Sequence, residues 1–283
     1  MPAMSGFVNF NPEKDIQPLN GKVIFTAQGT AGLGKASIQA LVKRGASHIY
    51  FTGRNANAGE ELITEMKKTN PSVGCNAGIM FKPPALSKDG YEATFATNHL
   101  AHALIIRKLL PTLLKTADIP DADVRMISLT SEGWNSHPKE GINFSTLQTT
   151  QNSAFGKLTR YGQSKLANVV YAAELARRYP QIMAISVHPG VVKTDLLNSL
   201  SLSEKALVYG GNFLMGVKLM EEEQGCLSQL WVAAGARKDQ LVNGGFYRPV
   251  GVFSNSELDK IATSEEFANR LWTWTDDALA KVL

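Results

Sequence analysis

Cysteine is scarce: two in 283 residues, Cys75 and Cys226, far apart and with no C-x-x-C or C-x-x-H neighbour. That excludes a disulfide scaffold and a zinc motif of recognisable spacing, and fits free or buried thiols in a reducing compartment. Charge of one sign is also in short supply. The net charge is +4, and no Lys/Arg stripe with interleaved aromatics runs along the chain, so a nucleic-acid partner is not expected. Long hydrophobic runs are missing. The most apolar late stretch, residues 206–220, is too short for a membrane span and is interrupted by Gly210, Gly211, Asn212 and Lys218. Residues 1–11 lack a basic segment followed by an apolar run, so a secretory signal is not expected and a cytoplasmic location is. No repeat, low-complexity segment or Pro/Ser-rich linker divides the chain, which predicts a single domain over residues 1–283.

What is present is alternation. Lys22–Thr26 is a short apolar strand running into a Gly-rich turn, and a helix over about 35–44 ends at Gly45 as a C-cap. A strand at 48–52 and a polar helix at 58–68 follow, stopped by Asn70-Pro71. A long helix covers about 90–114, and 124–129 is a buried strand. Residues 133–155 are polar loop. Positions 161, 165, 168, 169, 172 and 176 share one face of a helix over 161–178, and a buried strand over 181–187 ends at Pro189-Gly190. Strands alternating with helices predict an α/β fold, a Rossmann-type doubly wound parallel sheet.

Two constellations carry chemistry. Gly29-Thr-Ala-Gly32-Leu33-Gly34 sits between a strand and a helix, where glycines let backbone approach a pyrophosphate and the helix N-terminus favours its charge. Taken singly, the motif is as readily an ordinary tight turn. About 20 residues further on, where an acid would bind ribose hydroxyls, stand Gly53-Arg54-Asn55. A guanidinium suits a 2′-phosphate, so the expected cofactor is NADP(H), with Lys35 adding positive charge; the competing reading of Arg54 is a solvated surface residue. Tyr161-Gly-Gln-Ser-Lys165 places a phenol and an ammonium one helical turn apart, and a cation beside the phenol is expected to move its pKa toward neutrality. Alone that pair is as readily an exposed helix pair. Ser131, a turn serine on the plainest reading, closes the strand at 124–129, where its hydroxyl can reach a reacting oxygen. Gly-rich turn, Ser131 and Pro189-Gly190 all fall at carboxyl ends of strands, where open α/β sheets bind ligands. A hydrolase is poorly supported: there is no G-x-S-x-G elbow, and His99, His102, His137 and His188 have no nucleophile arrangement. His99 and His102, three apart, lack a carboxylate or Cys partner and read as packing residues; no metal is expected.

At this point the residues resemble the short-chain dehydrogenase/reductase family over nearly the whole chain. The stretches that carry it are Gly29–Gly34, Asn76-Ala77-Gly78, Asn98-His-Leu, Leu129-Thr-Ser131, Tyr161–Lys165 and His188-Pro-Gly-Val-Val192-Lys-Thr194-Asp. Glu223-Gln-Gly225 and residues 244–251 resemble the retinol-dehydrogenase-like branch and its fungal relatives. The resemblance implies that Tyr161 is the proton donor or acceptor, that Lys165 lowers its pKa and holds the nicotinamide ribose, and that Ser131 orients the substrate oxygen. It further implies that Asn98 supports a relay water, that Val192 and Thr194 contact the nicotinamide amide, that Asn76, Ala77 and Gly78 pass beside the cofactor, and that about 196–220 form a substrate lid. The apolar lid points to a hydrophobic carbonyl or alcohol substrate, with specialised metabolism a further expectation. The family often pairs through the two long helices, so a homodimer or homotetramer is expected.

Two departures matter. Counting back from Gly34, Ala27 and Gln28 stand where the family has Thr and its first Gly; if that position has positive φ, either Gln28 is strained or the turn is re-formed around Gly29. Between the helix at 58–68 and Asn76 only the seven residues Thr69–Cys75 remain. The family places a strand, a helix and another strand there, and a crossover alone needs about 10–12 residues. The sheet should therefore lack one or two strands after residue 68, the gap being filled by residues 70–80 or a partner chain, or reflecting a piece removed from the chain. This leaves two functional expectations: an NADP(H) oxidoreductase interconverting an alcohol and a carbonyl, or a non-catalytic binding protein that kept the scaffold.

Overall fold

The computed structural model describes residues 7–53, 55–70, 85–152, 156–192 and 219–281. They form two compact units, each assembled from separated stretches of chain.

The first unit draws on residues within Met1–Ile79, Pro189–Arg237 and Arg248–Val252. It opens with a short helix α1 (Pro12–Asp15), capped by the Asn11 side chain, which accepts from Glu13 N. Strand β1 (Val23–Thr26) pairs in parallel with β2 (His48–Phe51), with Val23 opposite His48 and Thr26 opposite Phe51. Helix α2 (Gly32–Lys43) is the crossover, starting a turn earlier than the sequence pattern suggests. It buries Ile38, Leu41 and Val42, and Gly45 ends it at φ 79° with its N–H on Val42 O, as expected of a C-cap glycine. Helix α3 (Ala56–Lys67) is capped by Asn55, which accepts from Ala58 N at 3.2 Å, and buries Leu62 and Met66. Later chain adds α6 (Glu222–Gly225) and α7 (Leu227–Leu230), where Gln229 donates to Ser37 Oγ of α2 at 3.1 Å. β1 is more open than an internal parallel strand: Val23 is 65% and Phe25 39% exposed.

The second unit draws on Met80–His188, Lys238–Tyr247 and Phe253–Leu283. Helix α4 runs through Ala93–Phe95, a π-turn at Ala96–Leu100 and Ala101–Ala117. Its start is held by buried Glu92, which accepts from Thr94 N and Phe95 N and pairs at 3.4 Å with buried Arg160. Strands β3 (Arg125–Leu129) and β4 (Met183–Val187) pair in parallel, and β4 pairs in parallel with β5 (Phe246–Arg248); the sheet order is β3-β4-β5-β6, with β6 at Val252–Phe253. Between β3 and β4 comes α5 (Gly156–Arg178), five residues longer at its start than the periodicity suggests. From Leu166 to Ala172 every residue of α5 is buried. One neighbour is α8 (Glu265–Ala280), where Trp272 stacks on Tyr171 with ring centroids 4.8 Å apart. That stretch of α5 therefore has no exposed side chains to offer a second subunit.

The fold is α/β with parallel pairing, as expected. Among the described residues no strand lies between β2 and β3, and the strands fall into two separate sheets, one of two strands and one of four. β5, β6 and α8 were not legible as elements in the sequence.

Candidate active site

Ser131, Tyr161, Lys165 and Asn98, the expected acid–base set, lie in the second unit. β3 ends at Leu129, whose carbonyl accepts from Lys165 Nζ at 3.3 Å and Asn168 Nδ2 at 3.0 Å. Thr130 Oγ1 donates to Lys165 O at 2.8 Å, tying the strand end to α5. Ser131 is extended, and its Oγ accepts from Gly133 N at 3.2 Å, starting a 3₁₀ turn at Glu132–Ser136. Tyr161 and Ser131 share a side-chain hydrogen bond. Lys165 Nζ lies 5.7 Å from the centre of the Tyr161 ring. Asn98, delivered by the π-turn, donates to Ser164 Oγ at 3.0 Å, and Ser164 donates to Tyr161 O at 2.8 Å. The Asn98 side chain thus braces α5 near Tyr161.

Two glycines make this packing possible. A Cβ on Gly133 would fall 2.7 Å from Tyr161 Cε1, and one on Gly162 2.6 Å from the Ser136 carbonyl carbon. Sequence reasoning missed Gly133, Thr130, Ser164 and Asn168 as supports. Asn168 was visible on the same helix face as Tyr161 and Lys165, but the acceptor it finds on β3 is a tertiary contact.

The electrostatics correct one expectation. Burial pushes the Tyr161 phenol above its ordinary value, and the hydrogen bond with Ser131 offsets this only in part. Burial also lowers Lys165, to about 8. The ammonium does not bring the phenol toward neutrality here, because both groups sit where charge is poorly solvated. Tyr161 is held in its neutral, proton-donating form, and Lys165 can release a proton near working pH.

The nucleotide-binding candidates lie in the first unit. Gln28 has φ 60°, so the side chain replacing the family's first glycine is in the left-handed region, as the alignment predicts. Gln28 N donates to Thr52 Oγ1 at 3.0 Å, and Gly29 N to Thr52 O at 2.5 Å, anchoring the turn to the end of β2. A Cβ on Gly34 would lie 2.2 Å from Gln28 O, and one on Gly29 2.4 Å from Ile38 Cδ1, so both glycines are required for the turn to close. Gly32, at φ 56°, is not crowded: the nearest atom to a Cβ there is Glu222 Oε1, in ordinary contact at 3.7 Å. α2 begins at Ala31 with no side-chain cap and no acid in its first turn. Its first N–H groups are thus available to an anion. Leu33 O accepts from Ser37 Oγ at 2.7 Å. Lys35 is half-exposed and 3.9 Å from Glu65, so its charge is partly engaged. Val192 is buried and pairs with Met220 in a parallel bridge. Arg54, Asn76, Ala77, Gly78, Thr194, Cys75 and the lid up to residue 218 lie outside the described residues.

Among the described residues no group of His, Cys, Asp or Glu has a metal-binding arrangement. Cys226 is buried and free, its thiol pushed up to about 12 by burial. None of the described helices is long and apolar enough to cross a membrane.

No family model matches the chain. Individual proteins do. An uncharacterized oxidoreductase of Schizosaccharomyces pombe is 30% identical over 278 residues, covering 83% of this chain and 79% of its own. The short-chain dehydrogenase/reductase drtF of Aspergillus calidoustus is 27% identical over 308 residues, covering 93% and 95%. The chain belongs to the short-chain dehydrogenase/reductase family. Among solved structures, an NADPH-bound carbonyl reductase from chicken fatty liver superposes with a TM-score of 0.59 at 15% identity, covering 86% of this chain and 97% of its own; that likeness is one of fold. Within this chain Ser131, Tyr161 and Lys165 lie together at the end of β3 and on α5.

Proposed function

We propose that this chain is an NADP(H)-dependent oxidoreductase that interconverts an alcohol and a ketone or aldehyde on a hydrophobic small molecule. The observation that carries the reading is geometric: the Tyr161 phenol shares a hydrogen bond with Ser131 and has Lys165 Nζ 5.7 Å from its ring centre, one helical turn on. A scaffold without chemistry has no need of a cation and a phenol held together at the end of a strand.

The residues fit a dinucleotide. The uncapped N-terminus of α2 suits a pyrophosphate, and Glu222, whose Oε1 would lie 3.7 Å from a Cβ on Gly32, is the nearby carboxylate that a phosphate has to displace or tolerate. Gly29, Gly32, Leu33, Gly34 and Lys35 line this region. Arg54 selects the 2′-phosphate by its fixed fork of donors. Asn76, Ala77, Gly78, Val192 and Thr194 complete the contacts. When bound, the nicotinamide supplies or accepts the hydride.

This chain's own residues handle the proton. Ser131 Oγ and Tyr161 Oη hold the substrate oxygen from two sides. Tyr161, kept neutral by burial, donates its proton as negative charge develops on that oxygen. Lys165, with its pKa near 8, then returns a proton to the phenolate. In the oxidative direction the order reverses. The apolar lid sequence supports a hydrophobic substrate, and we extend the reading to a role in specialised metabolism. We also read the chain as cytoplasmic and as one functional domain; if it pairs, it does so away from the buried middle of α5.

A second reading, a non-catalytic relative, is favoured by Gln28 at φ 60° in the turn and by the short interval before Asn76. The deciding experiment is NADPH binding followed by carbonyl-dependent NADPH consumption, with Tyr161→Phe as the control. We expect turnover in the wild type and none in Tyr161→Phe, with NADPH affinity unchanged. Binding without turnover in the wild type supports the second reading instead.

A further inference from the structure

The strand end that holds Lys165 also holds a second side chain. Among the described residues β3 is an edge strand of its sheet. Thr130 N donates to Val187 O, so Thr130 faces β4, and the backbone of Leu129, one residue earlier, points off the other edge. A carbonyl oxygen has two lone pairs, and that of Leu129 takes two donors from α5: Asn168 Nδ2 at 3.0 Å and Lys165 Nζ at 3.3 Å. The shorter bond belongs to Asn168, which the proton steps above do not use.

The order along α5 matters. Tyr161, Lys165 and Asn168 are spaced i, i+4 and i+7, so Lys165 stands between the phenol and the amide on one helix face. Helical side chains lean toward the N-terminus, so the amide reaches back beside Lys165 and Lys165 reaches back toward Tyr161. A lysine stem is flexible, and a single bond of 3.3 Å, longer than an ordinary N–H···O contact, does not fix it.

Asn168 is itself held. It is buried, as are His99 of α4 and Thr275 of α8. His99 shares a side-chain hydrogen bond with Asn168, and its Nε2 lies 2.9 Å from Thr275 Oγ1. The Phe95 and Tyr171 rings pack on the imidazole with centroids 5.1 and 5.2 Å away. Burial first, and then His102, push the ring down to about 3, so it is neutral and has one N–H and one lone pair. Its bond with Asn168 favours protonation, which makes His99 the donor and Asn168 Oδ1 the acceptor. Nδ1–H then faces Asn168, and Nε2 accepts from the Thr275 hydroxyl. An amide whose oxygen and nitrogen each have a fixed partner has one orientation.

We propose that Asn168 is a positioning residue for Lys165: its amide, locked by His99 and Thr275, takes the side of the Leu129 carbonyl away from Tyr161 and confines Lys165 Nζ to the side facing the phenol. The inference rests on the reading that Lys165 serves Tyr161, but the positioning itself does not require turnover.

The test compares crystal structures of the wild type and Asn168→Leu, a change that nearly keeps the volume and removes the amide. Lys165 Nζ should stay near 5.7 Å from the Tyr161 ring centre in the wild type and retreat toward position 168 by about 1 Å or more in the variant. If Asn168→Leu does not fold, Asn168→Ala, which adds no bulk, is read in the same way. In a 15N-histidine spectrum of the wild type, with the His99 signals assigned by their loss in His99→Phe, the proton should sit on Nδ1. With NADPH and benzaldehyde as the carbonyl probe, kcat per bound NADPH should fall by about ten- to a hundredfold in Asn168→Leu at unchanged KM for the aldehyde. A Lys165 unmoved in the variant, or a wild-type His99 protonated on Nε2, overturns the proposal. So does a variant whose kcat is undiminished. Lys165 displaced as stated in a chain that turns over no carbonyl removes the oxidoreductase reading and leaves the positioning standing.

Discussion

Gly133→Ala puts the architecture of the site to a quantitative test. Gly133 does not have a positive φ, so alanine brings no backbone strain and adds only a methyl group. That methyl carbon would sit 2.7 Å from Tyr161 Cε1 and 2.9 Å from Cδ1, whereas ordinary contact begins at 3.4 Å. The ring must retreat by about 0.7 Å or more, and Tyr161 is hemmed in by Ser131 and by Gly162 packed on the Ser136 backbone. Overpacking of this kind costs about 1–3 kcal/mol, and replacing Gly with Ala returns about 0.5–1 kcal/mol through chain entropy. The net loss should be about 1–2 kcal/mol, a fall in Tm of roughly 2–3 °C for a chain of this size. Displacing the phenol by the better part of an ångström should lower kcat by on the order of 10²-fold. A double-mutant cycle isolates the cause. With Tyr161→Ala the obstructing ring is gone, so Gly133→Ala should become neutral or mildly stabilising, leaving a coupling of about 1–2 kcal/mol. Denaturant melts of the four proteins measure it, and carbonyl-dependent NADPH oxidation measures the rate. An equal stability cost in both backgrounds, or undiminished turnover in Gly133→Ala, would show that the phenol does not lean on this glycine.

Three further outcomes follow from the same structure. His99 and His102 have pKa values lowered to about 3 and about 4, so above pH 6.5 their contribution to stability is fully present. It is lost as pH falls from 6.5 toward 3, because the unfolded chain takes up protons that the native one refuses. Urea midpoints between pH 7 and 4 should fall accordingly, and His102→Gln should flatten the slope by about one proton; an identical slope contradicts the assignment. Gln28→Gly should stabilise by about 0.5–1 kcal/mol, because left-handed backbone costs a non-glycine residue about 1–2 kcal/mol and part of that returns as chain entropy; a lower Tm means that the Gln28 side chain contributes more than its strain costs. Arg54→Asp should move the ratio of kcat/KM values from NADPH toward NADH, and an unchanged ratio removes Arg54 from cofactor selection.

The local elements were legible because their causes are local. Gly45 had to end α2, since only a residue without Cβ enters φ 79° freely, and the Tyr161/Lys165 spacing is fixed by helix geometry. The strain at Gln28 could be foreseen from an alignment of glycines alone. The seven residues before Asn76 are too few for a strand–helix–strand, an expectation that falls mostly on residues outside those described. By contrast, β5, β6 and α8 carry weak local signals. Three- and two-residue strands have no readable period, and α8 is fixed by what Trp272 and Tyr171 bury together.

The sequence by itself determined the family, the alternating α/β order, the glycine turn and the set Ser131, Tyr161 and Lys165, because these rest on residue type and short-range spacing. Tertiary structure alone decided the protonation pattern: the phenol raised rather than lowered, the lysine brought to about 8, and two histidines kept neutral. The physical reason is that solvation depends on what surrounds a group in space. Depth of burial, the hydroxyl at Ser131, the carbonyl at Leu129 and the room left by Gly133 come from segments that meet only when the chain folds.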